Sequence, residues 1–267
     1  MVRAAERAKH PATSSIWLDS EKAGRGRKPG QPGQPGQPGQ PGQPAGLDRD
    51  KIVETSVRLL DMEGLAKFSM RKLAAELNVT AMSVYWYVDT KDDILELALD
   101  AVFGEIEPSE ATADWQSSLR EIAEAYRKLL VRHTWVSPIL STYLNIGPNA
   151  LKVAQAIQHV IKATGLRPEE QNGATSAALQ FVYGFGTTMG NFQRRCDEAG
   201  LTPDEYHAQA LAMFSTEPAL TETMESMQDV LETREGQTVA QMWERDFEFG
   251  LDVVITGIEA MVARAGS

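Results

Sequence analysis

The stretch SMRKLAAELNVTAMSVYWYVDTK, Ser69 to Lys91, reads as two short helices joined by a tight turn. Leu73, Ala74 and Leu77 line one side of the first helix at helical spacing. Asn78-Val79-Thr80 breaks it, because asparagine tolerates turn backbone and Val79 is placed to plug the angle between helices. The second helix is predicted over Ala81 to Val88, with Val84 and Val88 four residues apart and facing inward together. Ala81, Met82, Ser83, Tyr85, Trp86 and Tyr87 then look outward. Core packing in a helical protein is the other reading of the aromatic triplet, but so small a unit cannot bury all three rings. An exposed surface of aromatic, small and hydroxyl side chains suits the major groove of DNA. Arg71 and Lys72 on the preceding helix and Lys91 after the second supply cations where phosphates would lie.

The flanks extend the pattern. Asp48 is a plausible N-cap for a helix reaching about Glu63, with Ile52, Val53, Val57, Leu59 and Leu60 on its apolar side and Gly64 at its C-terminal stop. Ser69 is the expected cap of the next helix. Thr90, with Asp93 three residues on, forms the signature of a capping box for a helix from Lys91 to about Ile106, carrying Ile94, Leu95, Leu97, Ala98 and Val102. That helix joins the reading head to the rest of the chain and is the natural lever for a signal.

Residues from Leu47 to about Leu97 resemble the DNA-binding domain of the TetR family, and the head as a whole is read as residues 47–106. The carriers are DRDKIVETSVRLL at Asp48–Leu60, FSMRKLAAELNV at Phe68–Val79 and SVYWYVDTK at Ser83–Lys91. The resemblance implies that Arg71 contacts a base edge and that Ala81 and Met82 meet bases or thymine methyls. It gives the phosphates to Ser69, Ser83, Tyr85, Tyr87 and Lys91, and has Trp86 brace the helix and touch the backbone. Family members that respond to tetracycline carry a glutamine for base reading where this chain has Ala81.

Residues 107–267 read as a larger helical body. Helices are expected over Asp114 to Arg132, in a short piece at Val136–Leu144, from Pro148 to near Gly165, from Pro168 to about Asp197 and from Thr238 to about Ala263, with looser acidic, Met-rich helix between the last two. Gly184, Gly186 and Gly190 each cost roughly 1 kcal/mol relative to alanine inside a helix, so a close neighbour is expected there. The final helix carries a wider apolar stripe than one neighbour needs, as for a partner subunit. By resemblance the body binds an effector and dimerises through its last two long helices. Tetracycline repressors hold drug and magnesium with Asn, Phe and His; here Ile122, Tyr126 and the pair Ile139-Leu140 fall in or near those places. Ile and Leu supply no ligand for magnesium. The expected pocket is therefore apolar and aromatic, with Tyr126, Leu130, Trp135, Phe181, Met189, Phe192 and Trp243 as candidate liners, no metal and no cofactor. Each of the seven also suits ordinary core.

The 267 residues carry a net charge of −11, which at first sight disfavours DNA. The distribution matters more: residues 1–47 hold seven Lys/Arg against three Asp/Glu, whereas residues 104–267 hold twelve against twenty-three. An acidic body behind a locally basic face suppresses casual binding. Residues 1–46 read as a disordered basic tail. Its five GQP triplets, Gly30 to Pro44, form either a polyproline-II spacer reaching roughly 45 Å or a neutral repeat. Gly24-Arg25-Gly26-Arg27-Lys28 resembles a minor-groove arm and equally reads as a generic basic tail. No stretch approaches eighteen apolar residues and no secretory signal opens the chain, so no membrane contact is expected. The single cysteine, Cys196, fits a reducing cytoplasm. Four histidines without metal spacing, and no phosphate loop or nucleophile elbow, argue against an enzyme. The reading is an all-α, homodimeric, cytoplasmic transcriptional regulator. It binds a near-palindromic double-stranded operator, most simply as a repressor released by a hydrophobic or aromatic small molecule. Control by a protein partner is the alternative.

Overall fold

The computed structural model describes residues 15–18, 47–107, 114–216, 226, 229, 232–234 and 236–265. The GQP repeat and the basic arm lie outside the described residues. All regular elements among the described residues are helices, and the chain divides into two compact units: residues 15–18, 47–107 and 132–156 in the first, 114–131 and 157–265 in the second.

The first unit begins with α1 (Arg49–Glu63), α2 (Met70–Glu76), α3 (Ala81–Tyr85) and α4 (Lys91–Phe103). Local chemistry sets their ends. Asp48 accepts from the Lys51 amide at 2.8 Å, Ser69 accepts from Lys72, and Gly64 stops α1 at φ 77°. Thr90 and Asp93 exchange the two hydrogen bonds of a capping box at the head of α4. Ile52, Leu59, Leu60, Leu73, Val84, Ile94 and Ala98 close the core where α1 packs on α4 and α2.

Nearly every residue of α4 is buried, including Asp93, Glu96 and Asp100. A helix buried on all sides needs cover on all sides. Part of it comes from the stretch between α6 (Val136–Ile139) and α7 (Pro148–Ala163), and from the start of α7. Asp100 accepts the Asn149 and Ala150 amides at 3.0 and 2.9 Å, so a side chain on α4 caps α7. Gly147 is required beside it, because a Cβ there would fall on the Asp100 carboxylate. Tyr143 donates to Asp92 at 3.2 Å. His133 lies between Asp61 of α1 and Glu105, just past the end of α4, at 2.7 and 3.2 Å.

Further cover comes from the tail. The reading of residues 1–46 as wholly disordered does not hold at Ser15–Leu18, which form a turn with Ile16 1% exposed. Ser15-Ile16-Trp17-Leu18 is an apolar island in a polar tail, long enough to bury one side chain against the head.

The second unit contains α5 (Trp115–Arg132) up to residue 131, the rest of α7, α8 (Pro168–Ala199), α9 (Pro203–Thr216) and α10 (Val239–Ala265). The Met-rich run after Leu201 opens with α9; residues 217–225 fall outside the described residues. α8 packs on both α9 and α10. Along α5, Gln116 bonds Glu259, Arg120 pairs with Asp252 and Arg127 with Glu244, so α5 and α10 run antiparallel. Gly186 supplies the expected close approach, since a Cβ there would meet the Leu130 Cβ at 3.0 Å. Gly184 does not: nothing lies within 4 Å of it.

Candidate nucleic-acid interface

The two-helix hairpin is built from its turn outward. Asn78 takes φ 55°, the left-handed backbone that asparagine tolerates, and the Val79 amide bonds the Ala74 carbonyl at 2.9 Å. Thr80 caps α3 by accepting from the Ser83 amide at 3.3 Å, and its hydroxyl shares a 3.0 Å hydrogen bond with that of Ser83. Leu73, Ala74, Val84 and Val88 lie inside. The helix stops at Tyr85, earlier than the predicted Val88, and a turn carries the chain to α4.

Met82, Tyr85 and Trp86 project from this framework at 70%, 41% and 55% exposure, with Ala81 and Ser83 half-buried between them. Arg71 is exposed on α2, and its side chain forms no ion pair or hydrogen bond with the described residues. Its neighbour Lys72 is paired to Glu63, and Arg58 to Glu76 at 2.8 Å. Among these cations Arg71 is therefore the one left unengaged for an incoming ligand. The Ser69 hydroxyl oxygen accepts as the α2 cap, which leaves its proton free to donate. Lys91 donates one of its three protons to the Phe68 carbonyl at 3.0 Å and lies over the Phe68 ring at 5.5 Å, half-buried.

Tyr87 is not outward. It is 4% exposed, and its hydroxyl donates to the Leu47 carbonyl. It cannot serve as a phosphate ligand. The spacing held part of the reason: residue 87 is three on from Val84, and residues three apart share a helix face. Tyr87 instead ties the end of the reading helix to the entry of α1. Tyr87→Phe is expected to lower stability by about 1 kcal/mol, the net worth of one hydrogen bond. Thermal unfolding measures this; an unchanged midpoint would show the bond to be idle.

The residues expected to line an effector pocket do not all come together. Trp135 belongs to the first unit, where it is buried and its indole N–H donates to Asp61 at 2.7 Å beside His133. It is removed from the set, because its polar edge is satisfied there and not in the body. The other six lie in the second unit. Phe181 stacks on Phe247 with centroids 5.5 Å apart, and Phe192 touches Trp243 and Tyr206 at 5.4 Å each. Leu130 is fully buried against Gly186, and Tyr126 is buried nearby on α5, where desolvation pushes its phenol upward. Met189 accepts a long contact from Arg127 at 3.8 Å.

The sequence reading missed Phe185, Phe247 and Arg127. Phe185 joins Phe181, Trp243 and Phe247 in one aromatic cluster. Arg127 is buried, paired with Glu124 and Glu244 at 2.7 Å each, and lies 4.4 Å over the Phe247 ring. Burial works to lower its pKa, but the two carboxylates outweigh this and hold it up. Glu124 and Arg127 at i, i+3 and Phe181 and Phe185 at i, i+4 were legible as pairs; their meeting across α5, α8 and α10 was not.

The geometry defines a class: a helix-turn-helix DNA-binding head followed by an all-helical unit that carries a half-buried aromatic cluster. Comparison with known proteins carries this further. The model described as "Tetracyclin repressor-like, C-terminal domain" matches residues 107–262, and "Bacterial regulatory proteins, tetR family" matches residues 52–98. The chain belongs to the TetR family of helix-turn-helix transcriptional regulators.

It is 39% identical over 155 residues to an HTH-type transcriptional regulator of Saccharopolyspora erythraea, an alignment covering 58% of this chain and 65% of that one. It is 29% identical over 254 residues to the HTH-type transcriptional repressor DrrR1 of Streptomyces coeruleorubidus, covering 93% and 85%. The structure of the Streptomyces coelicolor TetR family protein ActR in complex with actinorhodin superposes with a TM-score of 0.63 at 25% identity, over 82% of this chain and 99% of that one. Among the described residues no helix is long and apolar enough to cross a membrane.

Proposed function

We propose that the protein is a homodimeric repressor that acts in the cytoplasm, binds a near-palindromic operator and is released by an apolar or aromatic small molecule. The carrying observation is the face formed by Ala81, Met82, Tyr85 and Trp86 beside the unpaired Arg71. Met82 and Ala81 read base edges and thymine methyls, Arg71 reads a guanine, and Tyr85, Trp86 and Lys91 hold the backbone. Ser69 and Ser83 line the same edge: the Ser69 hydroxyl accepts as the α2 cap and so keeps its proton to donate, and the Ser83 hydroxyl shares one hydrogen bond with that of Thr80.

Dimerisation is supported by α10. Phe249, Val253 and Met261 recur every four or eight residues with exposures of 70%, 57% and 50%, and Gly257 completes the row. Two heads joined in this way would sit about 34–36 Å apart, one helical turn of DNA. The effector class is supported by the aromatic cluster around Phe181, Phe185, Phe192, Trp243 and Phe247, and by the actinorhodin held in ActR.

Selection of bound DNA from a random pool tests the reading. An enriched near-palindrome is expected, and Arg71→Ala should then cost about 1–3 kcal/mol and relax preference at one base pair per half-site. A pool with no enriched sequence overturns the reading. A uniform loss over all sequences would make Arg71 a phosphate contact only.

A further inference from the structure

Four carboxylates on or just after α4 each have a dedicated partner within the first unit. Asp92 takes the Tyr143 hydroxyl, Glu96 the Ser15 hydroxyl, Asp100 the first amides of α7, and Glu105 the His133 ring. Asp92, Glu96 and Asp100 are spaced four apart and so lie along one side of the helix. Three of the four partners come from residues 132–156. The Glu96 partner alone comes from the N-terminal tail, 81 residues away in sequence, at 2.5 Å with both side chains buried.

The tail contact is more than one hydrogen bond. The Ser15 hydroxyl also accepts from the Trp17 amide at 3.3 Å, and the Ser15 carbonyl accepts from Leu18 at 3.2 Å, so the turn is internally fixed. Ile16 is buried to 1% exposure. The Arg49 guanidinium lies 5.8 Å from the centre of the Trp17 ring. Trp17 borders a cleft of about 940 Å³ between α1, α4 and Arg132-His133, and on its other side a narrow gap walled by Leu99, Phe103, Tyr143 and Asn145. The turn therefore engages α1 through Arg49 and α4 through Glu96, and Trp17 shares the wall of one gap with Tyr143.

We infer that Ser15–Trp17 is an intramolecular strap that clamps α4, so that seating the strap sets the position of α4 and with it the DNA affinity of the head. The inference rests on the proposed function for its link to DNA, but the clamp itself does not. Burying Ile16 and satisfying Glu96 favour one placement of α4; with the strap unseated, Glu96 is a carboxylate without its donor in a row of like charges at Asp92, Asp93 and Asp100. A head whose lever is gripped by its own tail can be loosened by anything that competes for those three residues.

Hydrogen exchange of the full chain without DNA reads the clamp, and binding to the operator selected by the wild-type chain reads its consequence. Ile16→Asp is expected to speed exchange in Ile94–Phe103 at least tenfold, leave Met70–Glu76 unchanged and weaken operator binding about tenfold. Exchange in α4 within twofold of wild type overturns the clamp. Should Ile16→Asp speed exchange in both helices, as a global loss of fold would, Ser15→Ala decides: faster exchange confined to α4 supports the strap, and wild-type exchange overturns it. Faster α4 exchange with unchanged operator affinity overturns the link to DNA. A wild-type chain that selects no operator defeats the proposed function while the exchange result still decides the clamp.

Discussion

Trp86→Glu is expected to weaken operator binding at least a hundredfold and leave the thermal midpoint of the free protein almost unchanged. Trp86 is 55% exposed, and its ring packs on no other aromatic among the described residues, so the fold does not depend on it. In the proposed complex it lies against the sugar-phosphate backbone. Removing an indole N–H bond to a phosphate forfeits about 1.5–3 kcal/mol, the range for a hydrogen bond to a charged group. The new carboxylate adds repulsion from a phosphate of about 1 kcal/mol at 4 Å in water and about 4 kcal/mol at the lower effective dielectric of an interface. A hundredfold loss corresponds to about 2.7 kcal/mol, well inside that sum. Fluorescence anisotropy on the selected operator, at two salt concentrations, measures it. Affinity within threefold of wild type would mean that this side of α3 faces something other than DNA.

His133→Leu is expected to destabilise the first unit by roughly 3 kcal/mol and to remove a pH dependence that the wild-type protein shows. His133 is 1% exposed, and both ring nitrogens face carboxylates, Asp61 at 2.7 Å and Glu105 at 3.2 Å. The doubly protonated ring can donate to both at once. Burial acts to lower its pKa, but Asp61 and Glu105 outweigh burial, and the net direction is upward from the ordinary value of 6.5. A raised folded-state pKa stabilises fully below the unfolded-state value and loses that stabilisation as pH rises through the folded-state value. Stability should therefore decline from about pH 6.5 upward. Hydrogen bonds to charged groups contribute about 1.5–3 kcal/mol each, and the partial exposure of both carboxylates places the pair near the lower end. Unfolding followed across pH 5 to 9 tests both parts. The same slope in wild type and variant would assign the proton to another group.

What the sequence revealed was decided by neighbours in the chain. Asp48, Ser69 and the Thr90–Asp93 box cap helices through bonds spanning three residues, and their residue types announce it. Asn78 announces its turn for the same reason. The alternation of inward Val84 and Val88 with outward Met82, Tyr85 and Trp86 was legible because the helical period is local. Tyr87 was misplaced only by treating the aromatic triplet as one surface feature.

Features that depended on distant partners were hidden. Nothing near Trp135 marks Asp61, 74 residues earlier, as the acceptor of its indole proton. Nothing in a tail rich in Gly, Pro and Gln marks Ser15-Ile16-Trp17 as core except its own brief apolarity, which reading the tail as a whole averaged away. Gly250 had no visible reason either. The Phe181 ring lies 2.5 Å from where its Cβ would be, held there by stacking on Phe247.

The row of carboxylates on α4 bears on how this protein can be recombined with its relatives. A hybrid regulator made by cutting after residue 106 would keep Ser15 for Glu96 but strip Asp92 of Tyr143, Asp100 of the amides at the head of α7, and Glu105 of His133. The transplanted lever would present those acids to whatever foreign surface replaced them. A graft that also carries residues 132–156 keeps each acid with its own donor, so the exchangeable module is discontinuous in the chain.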